Sequence, residues 1–280
     1  MSDSLETLRR KIDSANELGS VVRTMKALAA SGIVQYERAV RALDDYYRTV
    51  ELGLIACIRG KEQARPRRLH ARCAVVFGSD QGLVGQYNEQ LSGFVTTRCE
   101  PGNWQMLAVG ERIVALLADA RLDVARSFRQ PNSITAITSL VAQILTEIEA
   151  RQCEVLLFYN RPVANSACEP SVQRLLPLDA TWQEQFSDLA WPGRNLPEVI
   201  GDATPDALIR EYLFISLYRA CAGALASENA SRLAAMQRAE KNIDELLDEL
   251  GQGYNRLRQN GIDEELFDVI SGFEALQERG

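Results

Sequence analysis

Proline is confined to the middle of this chain of 280 residues. All nine prolines lie between Pro66 and Pro205, which leaves 65 residues before them and 75 residues after them without any. Proline inside a helix costs about 3 kcal/mol, so a long proline-free stretch favours continuous helix. We therefore expect long helices at both ends and a compact domain between them, with boundaries at 1–60, 61–204 and 205–280.

The first arm has the hydrophobic spacing of a coiled coil. Apolar residues recur at alternating steps of three and four from Leu5 to Cys57, and only Gly19 and Lys26 interrupt the series. A mean spacing of 3.5 residues over so many turns is typical of helices that supercoil. The pattern predicts one helix over Leu5–Cys57, about 80 Å long at 1.5 Å per residue.

The last arm carries a stripe of similar length. It opens at residues 204–206 with Thr-Pro-Asp, the order of a capping residue, a first-turn proline and an acid that suits the helix dipole. Apolar residues then follow at helical spacing as far as Leu257, passing through Leu246, with one gap at Asn229. Neither stripe is stable in water alone, and the central domain joins them. We expect the two arms to pair as an antiparallel coiled coil.

The centre alternates short apolar runs with helical patterns, which favours a mostly parallel sheet covered by helices. The predicted strands are Cys73–Phe77, Trp104–Val109, Leu122–Phe128, Glu154–Tyr159 and a fifth near Val172–Leu178. The predicted helices are Tyr87–Thr97, Glu111–Ala120 and Ser133–Ala150, and residues 179–203 are expected to form a loop. The fold class is thus α/β with long helices: an antiparallel coiled coil of the N- and C-terminal helices plus a central Rossmann-like α/β domain.

Composition excludes several classes of function. The net charge of −7 and the pI near 5.0 argue against nucleic acid as a partner, since DNA-binding proteins carry a basic field. No apolar run reaches the roughly 18 residues of a membrane span, and the acidic start does not resemble a secretory signal. We expect a cytoplasmic protein without direct membrane insertion. Six dispersed cysteines and a single histidine, His70, predict neither a disulfide framework nor a metal site.

A glycine-rich turn follows the first predicted strand, over Gly78–Gly85. A phosphate loop would stand at this place in a doubly wound domain, but the turn has neither the G-x-G-x-x-G pattern nor a Gly-Lys-Ser/Thr ending. We interpret it as a tight turn that packs against another element. A second feature is a basic cluster between arm and domain, which favours a solvated linker over an anion site; its members are Arg65, Arg67, Arg68 and Arg72.

Several segments resemble the gamma subunits of F-type ATP synthases. Ser79–Gly85 with Asn88 is similar to the family's Ser-Asp-Arg-Gly-Leu-Cys-Gly…Asn segment, and Thr24–Ser31 is similar to its Ala-Met-x-x-Val-Ala-Ala-Ser segment. The resemblance covers both arms and the centre, and it is most specific in the last arm. The matching residues there are Leu225–Met236, Tyr254–Gln259, Ile262, Glu265 and Leu266.

The resemblance implies a rotor shaft without an active site or cofactor. In the family, the paired terminal helices sit in a ring of alternating alpha and beta subunits, and the globular centre joins the epsilon subunit and the membrane ring of c subunits. Catalysis belongs to the beta subunits. The implied location is the cytoplasmic face of the inner membrane, as a peripheral part of the ATP synthase complex.

The resemblance also implies two sets of functional residues. A contact surface for the alpha/beta ring would include a basic and polar part of the shaft and an apolar tip. A neck turn would lie in the glycine-rich segment. The ring-contact residues are Met25, Lys26, Arg258, Gln259, Asp263, Leu266, Ile270 and Phe273, and the neck residues are Asp80, Gln81, Gly82 and Gly85.

The chain departs from the family at several of these positions. The family's basic run Lys-Met-Arg-Lys is here Gly32–Gln35, and the segment before the last helix matches weakly. Gln81 replaces an arginine, Val84 a cysteine and Asp263 a threonine. These departures resemble the divergent gamma subunits of alternative, sodium-translocating F-type ATPases. The cysteine-bearing insert of chloroplast gamma subunits is absent, so no thiol switch is expected.

Two other functions remain compatible with the pattern. One is a free-standing nucleotide-dependent enzyme built on the central sheet. The other is a static coiled-coil scaffold.

Overall fold

The computed structural model describes residues 4–58, 71–163, 166–178, 182 and 204–277. Its helices are α1 (Leu5–Ala42), α2 (Asp44–Ile58), α3 (Tyr87–Thr96), α4 (Glu111–Asp119), α5 (Ile134–Arg151) and α6 (Thr204–Gln277). Its strands are β1 (Arg72–Phe77), β2 (Gln105–Val109), β3 (Asp123–Phe128), β4 (Glu154–Val163) and β5 (Ser166–Leu176). Within these residues, no helix has both the length and the hydrophobicity needed to cross a bilayer.

The chain divides into two compact units. Residues 1–28 and 234–280 form one, the helical unit, and residues 29–233 form the other, the sheet unit. Both α1 and α6 contribute residues to each unit.

The sheet unit contains a five-stranded sheet in the order β3-β2-β1-β4-β5. The first four strands are parallel, as predicted, and β5 runs antiparallel to β4. Alternate residues of β1 enter separate cores: Val75 and Phe77 pack with α5 and α6, whereas Ala74 and Val76 pack with α3 and α4. Burial on both faces explains why the parallel strands are continuous apolar runs in the sequence.

The fifth strand starts earlier than the sequence predicts. The prediction placed it near Val172–Leu178, but β5 begins at Ser166 because it forms a hairpin with β4 and pairs with that strand from Val163 onwards. Its first half is polar and lies at the edge of the sheet, so the hydrophobic pattern marks only its second half.

The first arm is two helices and not one. α1 ends at Ala42 and α2 begins at Asp44, so the prediction of a single helix over Leu5–Cys57 is wrong. At the break, the backbone N–H of Leu43 bonds to the carbonyl of Val40, an i→i−3 bond that tightens the last turn. No proline or glycine marks this place. The apolar stripe continues across the break between α1 and α2, because the half-buried Val40, Leu43 and Tyr47 keep the spacing of three and four residues.

The helices of the sheet unit pair antiparallel along this stripe. Gly32 lies against Asn229, Tyr46 donates a hydrogen bond of 2.9 Å to Glu211, and Gly53 lies against Leu208. Partner numbers on α6 therefore fall as numbers on α1 and α2 rise. The predicted pairing of the two arms is confirmed in this unit.

The helical unit shows the same direction of pairing. Gly253 of α6 lies against Leu8 of α1, and Ile243 lies against Gly19. The stripe on α6 differs in one residue from the prediction: Leu246 is 45% exposed, and its neighbour Leu247 is half-buried. When Leu247 takes the place of Leu246 in the stripe, the spacings between stripe residues from Ile243 onwards alternate between four and three residues, as in a regular heptad.

Candidate functional site

The predicted neck turn ties together the loops after three strands. One carboxylate oxygen of Asp80 accepts a hydrogen bond of 3.0 Å from the backbone N–H of Glu111, and the other accepts one of 3.0 Å from the backbone N–H of Gln130. The backbone N–H of Asp80 returns a bond of 3.3 Å to the Gln130 side chain. Since Asp80, Glu111 and Gln130 follow β1, β2 and β3, this one side chain fixes the carboxyl edge of the sheet.

The residues beside Asp80 are held from α3. The amide of Asn88 accepts from the backbone N–H of Ser79 at 3.0 Å and donates to the Ser79 hydroxyl at 2.8 Å. That hydroxyl also donates to the carbonyl of Gln81 at 2.9 Å. Both Ser79 and Asn88 are buried, so the turn is a rigid structure rather than an open loop.

The outer part of the neck turn presents side chains to solvent. Leu83 has a positive φ of 61° and is 62% exposed, and Gly85 has a φ of 64°. Gln81 is exposed and Gly82 half-buried, and Val84 is buried beneath them. Leu83 is not among the neck residues predicted from the sequence.

A buried carboxylate on α6 connects the neck turn to the long helix. Glu228 is only 3% exposed, and it accepts hydrogen bonds from the side chain of Gln130 and, at 2.6 Å, from Arg232. Burial raises the pKa of Glu228 above its usual value, and the Arg232 guanidinium and the Gln130 amide offset only part of this rise. Glu228 lay inside a segment that the resemblance identified, but its role was not predicted.

Helix α6 also lies beyond the adjoining ends of β1 and β4. The Tyr87 hydroxyl donates a 2.9 Å hydrogen bond to the carbonyl of Ala224 on α6, and the Asn160 amide donates a 3.0 Å bond to the carbonyl of Tyr87. In doubly wound sheets, nucleotides bind in the crevice at this point, where the strand order reverses. Here the side chain of Tyr87 contacts the backbone of α6 near that place.

In the helical unit, the predicted contact residues on α1 lie at the pairing interface and beside it. Met25 is half-buried, and the Lys26 ammonium forms an ion pair with Glu240 of α6. This bond explains how a lysine occupies a position of the apolar stripe. A second set of apolar side chains on α1 is exposed and was not predicted as a contact surface, although its spacing of three and seven residues is helical; it consists of Leu18, Val21 and Leu28.

The predicted contact residues on α6 are exposed. Arg258, Gln259 and Asp263 face solvent, as does the start of the apolar tip, where Leu266 is 56% and Ile270 is 45% exposed. The side chain of Phe273 lies outside the described residues. Three more apolar side chains are exposed on this stretch: Ile262, Phe267 and Val269.

A protein-family model described as ATP synthase matches residues 4–276. The ATP synthase gamma chain of Moorella thermoacetica is 30% identical, over 98% of this chain and 99% of the relative. That of Kineococcus radiotolerans is 30% identical, over 100% and 99%. This chain belongs to the ATP synthase gamma-chain family. The family resemblance read from the sequence is therefore confirmed.

Solved structures show the same fold as this gamma-family chain. A rotor chain of the Euglena gracilis mitochondrial ATP synthase is 17% identical with a TM-score of 0.67, and it covers 92% of this chain and 98% of its own. A chain of the OSCP/F1/c-ring structure from the same organism is 16% identical with a TM-score of 0.69, covering 97% and 94%. The predicted fold class, with paired terminal helices and a central mostly parallel sheet, is confirmed.

The structure gives a reason for two departures from the gamma-family pattern. A side-chain carbon on Gly32 would lie 3.0 Å from the side chain of Asn229, so this position faces α6 instead of the outer surface. Val84, in place of the family's cysteine, is buried and substitutes one small apolar side chain for another. Of the segment that lacks the family's basic run, only Val34 and Gln35 are exposed.

Part of the basic cluster and other predicted features fall outside the described residues. These are Arg65, Arg67, Arg68, His70 and most of the loop over 179–203. Arg72 is described: it forms an ion pair of 3.3 Å with Glu154 and lies over the ring of Trp104. Among the described residues, no group of three or more histidine, cysteine or acidic side chains is placed to hold a metal ion.

We expect the Lys26–Glu240 pair of this gamma-family chain to stabilise the pairing of α1 with α6. Lys26→Glu would put two carboxylates together at a half-buried site and lower the free energy of unfolding by about 1 kcal/mol. The double variant Lys26→Glu/Glu240→Lys should recover most of this loss in urea unfolding. Glu245→Lys, at the exposed Lys241–Glu245 pair in the middle of α6, is the control and should change stability by less than about 0.5 kcal/mol. A double variant no more stable than the single one would show that the pair is not coupled.

Proposed function

We propose that this chain is the central rotor shaft of an F-type ATP synthase, which couples ion-driven rotation of the membrane ring to ATP synthesis or hydrolysis at the alpha and beta subunits. The observation that carries the proposal is the helical unit. In a chain of the gamma family, it combines antiparallel helices with an exposed apolar stretch on α6 that begins at Ile262.

The chain itself contributes no catalytic residue in this proposal. Its partners are the alpha and beta subunits of the ring, the epsilon subunit and the c-subunit ring. An asymmetric shaft that turns inside the ring would contact each beta subunit differently in turn, and it would stabilise a different conformation of each. A shaft that contacted two conformations of a beta subunit equally well would not change the equilibrium between them. The asymmetry of the shaft surface is therefore what couples rotation to chemistry.

The surface of the helical unit supports this asymmetry. The part of α6 between Lys241 and Asp268 exposes a series of acidic side chains, whereas α1 exposes basic and acidic side chains together, such as Arg10 and Glu17, beside the apolar Leu18 and Val21. A beta subunit would therefore meet a different combination of charge and hydrophobicity at each angle of the shaft. The acidic members on α6 are Asp244, Glu245, Asp248, Glu249, Asp263, Glu264 and Glu265.

We assign 1–60 and 205–280 to the shaft and 61–204 to the domain that joins the epsilon subunit and the c ring. Met25, Lys26, Arg258, Gln259 and Asp263 would contact the alpha/beta ring. Leu266, Ile270 and Phe273 would turn in an apolar sleeve, because hydrophobic contacts have no directional bonds that rotation must break. Asp80, Gln81, Gly82 and Gly85 form the neck. The complex would place the chain at the cytoplasmic face of the inner membrane, as a peripheral subunit.

The proposal is tested by assembling the complex with and without this chain. Alpha, beta, epsilon and c subunits are co-expressed and purified with the remaining subunits of the complex from the same source, including the stationary subunits that hold the alpha/beta ring and conduct the ions. ATP hydrolysis and ATP-driven ion uptake are then measured in vesicles. We expect ion uptake only when this chain is present, and no ATP hydrolysis by the chain alone. Ion uptake by a complex that lacks the chain would overturn the proposal.

A further inference from the structure

One face of α6 is hydrogen-bonded to the carboxyl edge of the sheet. Ala224, Glu228 and Ser231 are spaced four and three residues apart, so they lie on the same side of the helix. Their partners come from three different elements of the sheet unit. Ala224 accepts from Tyr87, Glu228 accepts from Gln130, and the Ser231 hydroxyl lies 3.4 Å from the thiol of Cys168 on β5.

Gln130 is the residue through which the neck turn reaches the helix. Its amide oxygen accepts from the backbone N–H of Asp80, and its amide nitrogen donates to Glu228 and, at 3.4 Å, to the carbonyl of Gly78. Its own backbone N–H is held by the Asp80 carboxylate. A force on α6 at Glu228 therefore acts on the loops after β1 and β3 together.

These bonds are of the kind that resists turning. Hydrogen bonds are directional and weaken steeply when their angle falls, and bonds to a charged group are about twice as strong as neutral ones. Glu228 and Tyr87 are both buried, and low local dielectric strengthens bonds that are fully made. The apolar side chains of α6 that pack in the core of the sheet unit also resist rotation, through the fit of their shapes, and the directional bonds add to that resistance.

We propose that Tyr87, Gln130 and Glu228 are positioning residues that clamp the α/β sheet to helix α6 against torsion, so that torque passes between the two without slip. We call this set the torsional clamp. The inference rests on the proposed function as a rotor shaft, and it names the place within the sheet unit where torque is transmitted.

The clamp is tested by exchanging its two central side chains. In Gln130→Glu, a second carboxylate faces Glu228 and the donor is lost. Glu228→Gln removes the charge that Arg232 and Gln130 both bind. In the double variant Gln130→Glu/Glu228→Gln, the amide at 228 can donate to the carboxylate at 130 and still accept from Arg232. The bridge is then restored with its polarity reversed.

The measurement is ATP-driven rotation of the full complex with the alpha/beta ring immobilised. A bead is attached to the sheet unit through Pro101→Cys, at an exposed position in the turn between α3 and β2, and the width of the angular distribution is recorded at each pause. We expect the distribution to broaden in both single variants, most in Gln130→Glu, and to narrow again in the double variant. Gln90→Glu makes the same chemical change at an exposed position of α3 and should leave the width unchanged.

Tyr87→Phe provides a second variant that removes one hydroxyl without adding charge, and it should broaden the distribution while the complex still assembles. A width equal to wild type in Gln130→Glu and Tyr87→Phe would overturn the clamp. So would a double variant as broad as Gln130→Glu. A wild-type complex that hydrolyses ATP without any rotation would instead contradict the rotor function, so the two failures are distinguishable.

Discussion

Replacing Gly110 with alanine should lower the free energy of unfolding of the sheet unit by about 3 kcal/mol, which for a domain of this size corresponds to about 6–12 °C in melting temperature. Gly110 has a φ of +110°, a conformation that alanine adopts only under strain. A side-chain carbon there would also lie 2.7 Å from the backbone of Ser79, which cannot move aside because its N–H is bonded to Asn88.

The measurement is thermal unfolding of the full chain followed by circular dichroism. Gly93→Ala is the matched control, because Gly93 lies inside α3 and, among the described residues beyond its own helix turn, no atom comes within 4 Å of the added carbon. Alanine there should be neutral or stabilise by about 0.5–1 kcal/mol. A Gly110→Ala protein that melts with the wild type would contradict the tight approach of the β2 loop to the neck turn.

Deleting Leu266–Gly280 should weaken assembly with the alpha/beta ring far more than it affects the sheet unit. Burying side chains such as Leu266 and Ile270 in a sleeve contributes about 1.5–3 kcal/mol each, so their loss should raise the dissociation constant by about 100-fold or more. The sheet unit has its own core and contains none of the deleted residues, so its thermal unfolding should be unchanged.

Two double variants test whether the effect of the deletion comes from losing the apolar side chains of the tip or from losing this stretch of chain in general. Leu266→Ser/Ile270→Ser should reproduce much of the effect of the deletion. Glu264→Ser/Asp268→Ser changes charged, exposed residues of the same stretch and should have a small effect. Equal losses in the two double variants would show that the tip is not held by hydrophobic contact. Loss of the sheet signal in the truncated protein would show that the sheet unit depends on the tip.

Much of the fold could be predicted because its strongest signals are local. The apolar stripe from Leu8 to Cys57 packs as the spacing predicts, and the parallel strands are apolar runs because both of their faces are buried. The prediction from periodicity was wrong where two neighbouring residues fitted the helical spacing equally well. Both Leu246 and Leu247 lie at a helical step from Ile243, and only the packing against α1 decides between them. The break at Leu43 has no breaking residue and preserves the spacing, so the pattern does not reveal it.

The candidate site was predicted less completely because its bonds join distant parts of the chain. The glycine-rich turn around Asp80 was identified from its motif, and its interpretation as a packed turn agrees with the structure. Gln130 and Glu228 are 98 residues apart in the sequence and meet only when the sheet is formed. Each looks like an ordinary polar residue by itself. Lys26 was recognised as an interruption of the stripe, but its partner Glu240 could not be assigned without the register of α1 against α6.

The central claim is that this chain turns relative to the subunits that surround it. It is tested most directly by fixing the alpha/beta ring to a surface, attaching a bead to the chain through Pro101→Cys and supplying ATP. We expect the bead to rotate continuously in one direction, at a speed that follows the rate of ATP hydrolysis. A complex that hydrolyses ATP at the normal rate while the bead stays at one angle would show that the chain is a static scaffold.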